Sequence, residues 1–391
     1  MKKYKYLIIG AGMTADAAVQ GIRELDPIGS IALIGDDRDP PYNRPPLSKG
    51  LWKGKPLDSI WRKTEEHTAE LFLGRTAISI NPQKKQVQDD RQESYTYERL
   101  LLATGGTPRK LPFGGENIIY FRTLDDYRRL REMCKQSEHF GVIGGGFIGS
   151  EIAAALTMNG KKVSMLFPDE GIGARVYPRD LSQYLNGFFR EKGVEVLTGV
   201  NVKDMKKSKD SYLLITDKGH PVPVDGVIAG IGLMPNIELA RSAGLEIGSG
   251  ILVDEMLRTN QPDIFAAGDV AEFNQLVLGK RLRVEHEDNA NVMGKQAGRN
   301  MAGASEPYHH LSYFYSDLFE LGYEAVGEHD SRLETFADWK EPFQKGVIYY
   351  LADGRVRGVL LWNVWDTVPA ARLLIAEPGP FKTADLKNRL P

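Results

Sequence analysis

Cysteine is almost absent from this chain of 391 residues: Cys134 is the single one. That excludes an internal disulfide framework, a Cys-x-x-Cys redox pair and a cysteine-clustered metal site. An excess of one charge is also missing, since 50 Lys and Arg stand against 52 Asp and Glu for a formal net charge of −2. Such balance argues against nucleic-acid or anionic-membrane binding driven by bulk electrostatics. No uninterrupted apolar run approaches the roughly 20 residues that span a bilayer. The opening Met1-Lys2-Lys3-Tyr4-Lys5 enters an apolar run that Gly10 ends, which fits neither a signal peptide nor an organelle transit sequence. The expected compartment is the cytoplasm. Low-complexity tracts and solenoid repeats are lacking as well. What remains is an ordinary globular composition, 42% hydrophobic and 26% charged. Its length suits two to four domains of about 100–200 residues each.

Two copies of one local pattern organise the chain. Leu7-Ile8-Ile9 reads as a buried parallel strand, then comes the turn Gly10-Ala11-Gly12-Met13-Thr14-Ala15, a helix through Ile22, a strand at Ile31–Ile34 and the acid Asp36. The second copy runs from Val142-Ile143 through Gly144-Gly145-Gly146-Phe147-Ile148-Gly149, a helix from Ser150 to about Met158 and a strand at Val163–Phe167, then reaches Asp169 and Glu170. Each is a βαβ unit of roughly 30 residues, and their separation is too great for one unit to use both. The fold class expected is α/β with two Rossmann-like dinucleotide-binding domains. From about Ser312 aromatics become dense and alternating strands appear, as at Gly346–Leu351 and Val356–Trp362, so a C-terminal α+β domain is expected.

The chemistry of the two turns follows from backbone geometry. In each, the first glycine (Gly10, Gly144) permits the tight turn. The second (Gly12, Gly146) lets backbone approach a pyrophosphate, and the third small residue (Ala15, Gly149) allows close helix–strand packing. The helix N-terminus then offers free N–H groups and partial positive charge to phosphates. Asp36 stands where a carboxylate accepts hydrogen bonds from an adenosine ribose. In the second copy Phe167 ends the strand and Asp169 is the nearest such acid. A carboxylate about 4 Å from a 2′-phosphate is repelled by about 4 kcal/mol per unit charge at an effective dielectric of ~20, which favours NADH over NADPH. Arg175 acts against that preference as a possible phosphate ligand, and Asp169 with Glu170 can equally be read as a solvated loop. A third segment, Pro41-Tyr42-Asn43-Arg44-Pro45-Pro46-Leu47-Ser48-Lys49, is stiffened by prolines and carries fixed charge at Arg44 and Lys49, which suits holding a planar ring.

Arg44-Pro45-Pro46-Leu47-Ser48-Lys49, Ala103-Thr104-Gly105-Gly106-Thr107-Pro108-Arg109 and Gly144–Glu151 resemble the FAD-dependent NAD(P)H–ferredoxin reductases of the pyridine nucleotide-disulfide oxidoreductase superfamily. Ala266-Ala267-Gly268-Asp269, Val284-Glu285-His286, Tyr315-Ser316-Asp317-Leu318 and Gly322-Tyr323-Glu324-Ala325-Val326-Gly327 extend the likeness to the branch containing apoptosis-inducing factor. The resemblance implies FAD on the first Rossmann domain and NAD(H) on the second. FAD-binding positions carried over are Gly10, Gly12, Ala15, Asp36, Arg44, Pro45, Lys49, Ala103, Thr104, Gly105, Asp269, Glu285, His286 and Tyr315. For NAD they are Gly144, Gly146, Phe147, Ile148, Gly149, Glu151, Asp169, Arg175, Gly232, Glu285 and His286. Lys49 and Glu151 are the implied catalytic pair, an ion pair near flavin N5. The domain boundaries expected are 1–108 with 235–311 for FAD, 109–234 for NAD(H), and 312–391.

Departures from the pattern bear on function. Tyr315 stands where tryptophan is usual and Asn289 replaces a histidine of that branch. The mitochondrial targeting region, the long C-terminal insertion linked to apoptotic signalling and the basic excess linked to DNA binding find no counterpart. The leading expectation is an NADH oxidoreductase passing electrons singly to a small acceptor: a ferredoxin, a rubredoxin, a quinone or dioxygen. The alternative is a redox sensor in which NADH reduction and a charge-transfer complex control dimerisation or partner binding. The chain is then a monomer or a homodimer, with NADH able to control which. The lack of a thiol pair excludes the disulfide-reducing members of the superfamily. His309-His310 lacks companions at ligand spacing, so no metal is expected. Trp362 and Trp365 read as core and rim of the tail domain.

Overall fold

The computed structural model describes residues 1–391, and the buried apolar runs named above become its parallel strands. The chain divides into two compact units, the first comprising Met1–Arg44, Leu57–Thr107 and Met234–Ser312, the second Pro45–Pro56, Pro108–Leu233 and Tyr313–Pro391. No helix is long and apolar enough to cross a membrane.

In the first unit, strands Ala69–Leu73, Ile31–Gly35, Lys2–Ile9 and Ser94–Leu102 lie side by side in that order, all parallel. Ile264–Ala266 pairs in parallel with Ser94–Leu102, and the hairpin Ala77–Asn81 with Gln86–Asp89 joins antiparallel. Leu7, Ile8, Leu33, Leu100 and Leu101 are fully buried, as strands covered on both faces require. Truncating any one to alanine is expected to cost about 2–5 kcal/mol. The helix Met13–Leu25 packs along Glu287–Met301, and the approach is so close that a Cβ on Gly298 would collide with the Ala18 carbonyl. The strand ends carrying Gly10, Asp36, Ala103 and Gly268 share one edge of the sheet, the carboxyl edge where open α/β sheets bind ligands.

The second unit has its own parallel sheet, in the order Val194–Thr198, Lys162–Phe167, His139–Ile143, Gly226–Ala229, Ile118–Tyr120. Its glycine-turn helix spans Phe147–Met158, three residues earlier than Ser150, because Gly146 is already the N-cap. A small antiparallel sheet, Val202–Ser208, Ser211–Thr216 and Val222–Val224, covers part of it. The tail forms a five-stranded antiparallel sheet ordered Tyr313–Leu318, Leu321–Gly327, Arg355–Trp362, Lys345–Ala352, Glu334–Glu341, followed by the helix Val368–Ala376. Trp362 is wholly buried there and Trp365 is half exposed. The sequence suggested the tail as a separate domain. In the structure it is compact with 108–233, and the segment Pro45–Pro56 joins them.

Candidate functional site

The two glycine turns adopt the same backbone. Gly10 and Gly144 both have φ +115°, and a Cβ there would collide with the carbonyl oxygens of Ala103 and Gly230 respectively. Gly12 and Gly146 both cap their helices in extended conformation, with no side chain accepting from the first turn. Around Gly146 a Cβ would meet nothing within 4 Å. The unclaimed N–H groups and the open space above the second glycine fit a pyrophosphate in both units.

In the first unit, the Arg44 guanidinium lies 3.8 Å from where a Gly12 Cβ would be, so it adds positive charge to that helix end. Ala15 is fully buried, which explains why alanine serves as the third small residue. Asp36 is exposed, one residue beyond its strand. Ala103, Thr104 and Gly105 form a turn pinned by Asn236: its Nδ2 donates to the Thr104 carbonyl (2.9 Å), while its own carbonyl accepts from Thr104 Oγ1 (2.8 Å). Asp269 sits in a helical turn after Ile264–Ala266, and Arg283 Nη1 donates to its carbonyl (2.8 Å) while pairing with Glu285 Oε1 (2.6 Å). His286 caps the helix Glu287–Met301. Part of its surface is accessible, yet the ring is surrounded densely by protein. That burial pushes it down to about 4 against the opposing pull of Asp269 and Asp288, so the imidazole is neutral at pH 7. Asn289 is a buried structural residue, its Oδ1 accepting from Tyr308 Oη (2.9 Å) and Ser312 Oγ (3.1 Å). His310 Nε2 is 2.5 Å from Asp288 Oδ2, and His309 is exposed. No group of three or more His, Cys, Asp or Glu is arranged to hold a metal ion.

The second unit holds a buried carboxylate beside its glycine turn. Glu151 is 3% exposed and Lys49 12%, and Lys49 Nζ lies 2.7 Å from Glu151 Oε2. Ser48 Oγ donates to the same oxygen (2.6 Å), and Ser316 Oγ donates to Oε1 (2.5 Å). Periodicity explains the convergence. Phe147 and Glu151 are one helical turn apart and share a face, while Phe314 and Ser316 share a face of their strand. The two faces meet, with the rings of Phe147 and Phe314 5.1 Å apart. Lys49 Nζ is 5.3 Å from the centre of the Tyr315 ring. Pro45 opens a short helical turn at Pro45–Leu47 that delivers Ser48 and Lys49. Ile148 is exposed, Gly149 packs against the Gly144 carbonyl, and Gly232 has φ +98° with its carbonyl accepting from Arg109 N (2.9 Å). Asp169 Oδ2 and Arg175 Nε stand 3.7 Å apart, so the arginine charge is partly committed to the carboxylate. Cys134 lies half-buried in the helix Leu124–Gln136, its thiol pushed up by burial.

Sequence reading did not find Ser48, Ser316, Asn236 or Arg283 as members of these arrangements. The face-sharing of residues 147 with 151, and of 314 with 316, was the signal available for Ser316.

Residues 4–296 match the family model of pyridine nucleotide-disulphide oxidoreductases, and 297–342 with 337–377 match that of the apoptosis-inducing factor, mitochondrion-associated, C-terminal domain. The chain is 34% identical to apoptosis-inducing factor 1, mitochondrial, of Dictyostelium discoideum over 96% of its own length and 79% of the relative's. It is 33% identical to the 3-phenylpropionate/cinnamic acid dioxygenase ferredoxin–NAD(+) reductase component of Photorhabdus laumondii, covering 97% and 98% of the two. The covalent putidaredoxin reductase–putidaredoxin complex superposes with a TM-score of 0.92 at 29% identity, covering 99% and 96%. Two open glycine turns of identical backbone thus lie within a sequence match that spans most of the chain, and the chain belongs to the pyridine nucleotide-disulphide oxidoreductase family, as an FAD-dependent NAD(P)H oxidoreductase that uses FAD and NAD(H).

Proposed function

We propose that this oxidoreductase takes reducing equivalents from NADH and passes them one electron at a time to a ferredoxin-type iron–sulfur protein. The observation that carries the reading is the buried Lys49–Glu151 pair, a fixed ammonium held in a low-dielectric setting. When bound, FAD supplies the hydride acceptor, its N5 receiving from nicotinamide C4 and its ring releasing electrons singly. The residues do the rest. Arg44 and the helix end at Gly12 hold the FAD pyrophosphate, Asp36 its ribose, and Asp269 the ribityl–phosphate region. Ala103, Thr104 and Gly105 lie along the cofactor, and Glu285, His286 and Tyr315 border the flavin and nicotinamide rings. Lys49 meets the flavin ring and offsets the negative charge that reduction adds to it, and Glu151 holds Lys49 in place. Gly144, Gly146, Phe147, Ile148, Gly149 and Gly232 receive NADH, with Asp169 on its adenosine ribose. The binding regions follow as 1–108 with 235–311 for FAD and 109–234 for NADH, followed by 312–391. The ferredoxin-type acceptor is supported by the relatives named for ferredoxin and putidaredoxin reduction.

A second reading is favoured by the match of 297–377 to the apoptosis-inducing factor C-terminal domain. There the reduced protein, in a long-lived charge-transfer complex with NAD, alters its oligomeric state or its partner. Anaerobic titration of the flavin-loaded protein with NADH and then NADPH decides between them, followed by air and by ferredoxin, rubredoxin or quinone. Fast reoxidation by ferredoxin supports the reductase. Slow reoxidation by every acceptor, with a persistent long-wavelength band and a change of size on NADH addition, supports the sensor.

A further inference from the structure

Asp16, a buried carboxylate of the first unit, is used by none of the assignments above. It lies one turn into the helix Met13–Leu25, its backbone N–H donating to the Gly12 carbonyl (3.1 Å), and it is wholly buried. Helical side chains lean towards the N-terminus, so the carboxylate lies close to the helix end assigned to the FAD pyrophosphate. An uncompensated negative charge there would repel the cofactor. The fold cancels it. Arg62 Nε donates to Asp16 Oδ2 (2.6 Å), Gln20 Nε2 donates to the same oxygen (2.8 Å), and Thr64 Oγ1 donates to Oδ1 (2.6 Å). The Arg62 guanidinium also reaches Asn43, its Nη1 donating to Asn43 Oδ1 (2.8 Å). Backbone pairing supports that contact: Asn43 N donates to the Ile60 carbonyl (2.8 Å) and Arg62 N to that of Pro41 (3.0 Å), with Tyr42 bridged to Trp61. The Tyr42 ring meets Trp61 edge-on at 6.3 Å, and the Arg44 guanidinium lies 5.8 Å from the centre of the same tyrosine ring. Arg44 follows Asn43 directly, with its backbone N 3.5 Å from Met13 Sδ and its Nη2 beside Gly12.

Resting on the placement of Arg44 at the FAD pyrophosphate, we propose that Asp16, Arg62 and Asn43 are positioning residues that hold the Arg44 guanidinium at Gly12 before FAD arrives. The donors of an arginine form a rigid planar fork, so Arg62 fixes Asn43 relative to Asp16, which an ammonium on a flexible stem does not do. The cofactor helix thereby sets, through one guanidinium, the residue that precedes the pyrophosphate arginine. A cation placed in advance loses less freedom when the anion binds, and such a gain appears mostly as slower dissociation. All of these residues belong to one compact unit.

The test follows FAD release from the flavin-loaded full chain after dilution, read by the fluorescence of the freed flavin. Asn43→Ala, at a half-buried position, removes one hydrogen bond to a charged group and is expected to speed release about tenfold. Arg62→Lys keeps the charge but not the fork and should act in the same direction, with the double variant no faster than either single one. Asp16→Asn takes a negative charge away from the pyrophosphate end, which by charge alone would slow release. It is expected to speed release about threefold instead, because Arg62 loses its ionic anchor. Arg44→Met should release FAD at least as fast as Asn43→Ala does, and beside it Asn43→Ala should add nothing. An Asn43→Ala protein that keeps the wild-type release rate would overturn the proposal, as would one whose full effect persists beside Arg44→Met. Slower release from Asp16→Asn overturns the role given to Asp16. If Arg44→Met itself releases FAD at the wild-type rate, the placement of Arg44 at the pyrophosphate is what fails. The network is then judged by the crystal structure of Asn43→Ala, where an Arg44 guanidinium still beside Gly12 overturns it and a displaced one bears it out.

Discussion

Glu151→Ala removes a carboxylate on which Lys49, Ser48 and Ser316 all converge. It leaves the Lys49 ammonium and the hydroxyls of Ser48 and Ser316 facing each other in a buried space. With the two charged side chains only 3% and 12% exposed, solvent screening does little to soften the loss. Breaking a buried pair in this way costs about 3–5 kcal/mol, most of it the cost of the cation left behind. For a unit of this size each kcal/mol lowers the midpoint by about 2–4 °C, so a fall of roughly 10 °C is expected. Differential scanning calorimetry of the flavin-loaded variant measures it, and stopped-flow reduction by NADH measures the chemical consequence, expected to be a loss of at least tenfold. Glu151→Gln, which keeps one acceptor oxygen, should fall between the variant and the wild type in midpoint. A Glu151→Ala protein that retains FAD, melts within 2 °C of wild type and is reduced by NADH at the wild-type rate would refute both the energetic and the functional reasoning.

The two glycines of one turn should separate structure from binding. Gly144→Ala meets a carbonyl oxygen at φ +115° and should destabilise the unit by more than about 2 kcal/mol in denaturant titration. Gly146→Ala has free space and an ordinary φ of −85°, so its stability should stay within about 0.5 kcal/mol while the apparent KM for NADH rises at least tenfold. Asp169→Ser should narrow the preference for NADH over NADPH by about tenfold in steady-state kinetics, the full Coulomb figure being reduced because the Asp169 side chain is 38% exposed. His286 supplies a pH signature. Its folded value of about 4 lies below the unfolded value near 6.5, so on acidification the unfolded chain takes up the proton first. Stability is thus complete above about pH 6.5 and falls as pH drops towards 4, by up to about 3 kcal/mol, and His286→Asn should flatten that part of the profile.

The glycine turns, the strands leading into them and the acids beyond them were legible because each depends on a constraint only a few residues long. A left-handed φ at Gly10 or Gly144 needs glycine whatever the rest of the chain does, and a run such as Leu7-Ile8-Ile9 is buried wherever a parallel sheet forms. The lone cysteine likewise excluded dithiol chemistry without any knowledge of the fold. The grouping of Pro45–Pro56 and the tail with residues 108–233 was decided by packing between distant segments, and it has no local mark in the sequence. The surroundings of Glu151 show the same limit. Ser48 and Ser316 lie 103 and 165 residues from it, and a serine in a strand or a proline-rich turn looks alike whether it faces water or a buried carboxylate. Backbone conformation is encoded residue by residue, whereas which polar groups meet in a low-dielectric interior is fixed only when the chain closes around them.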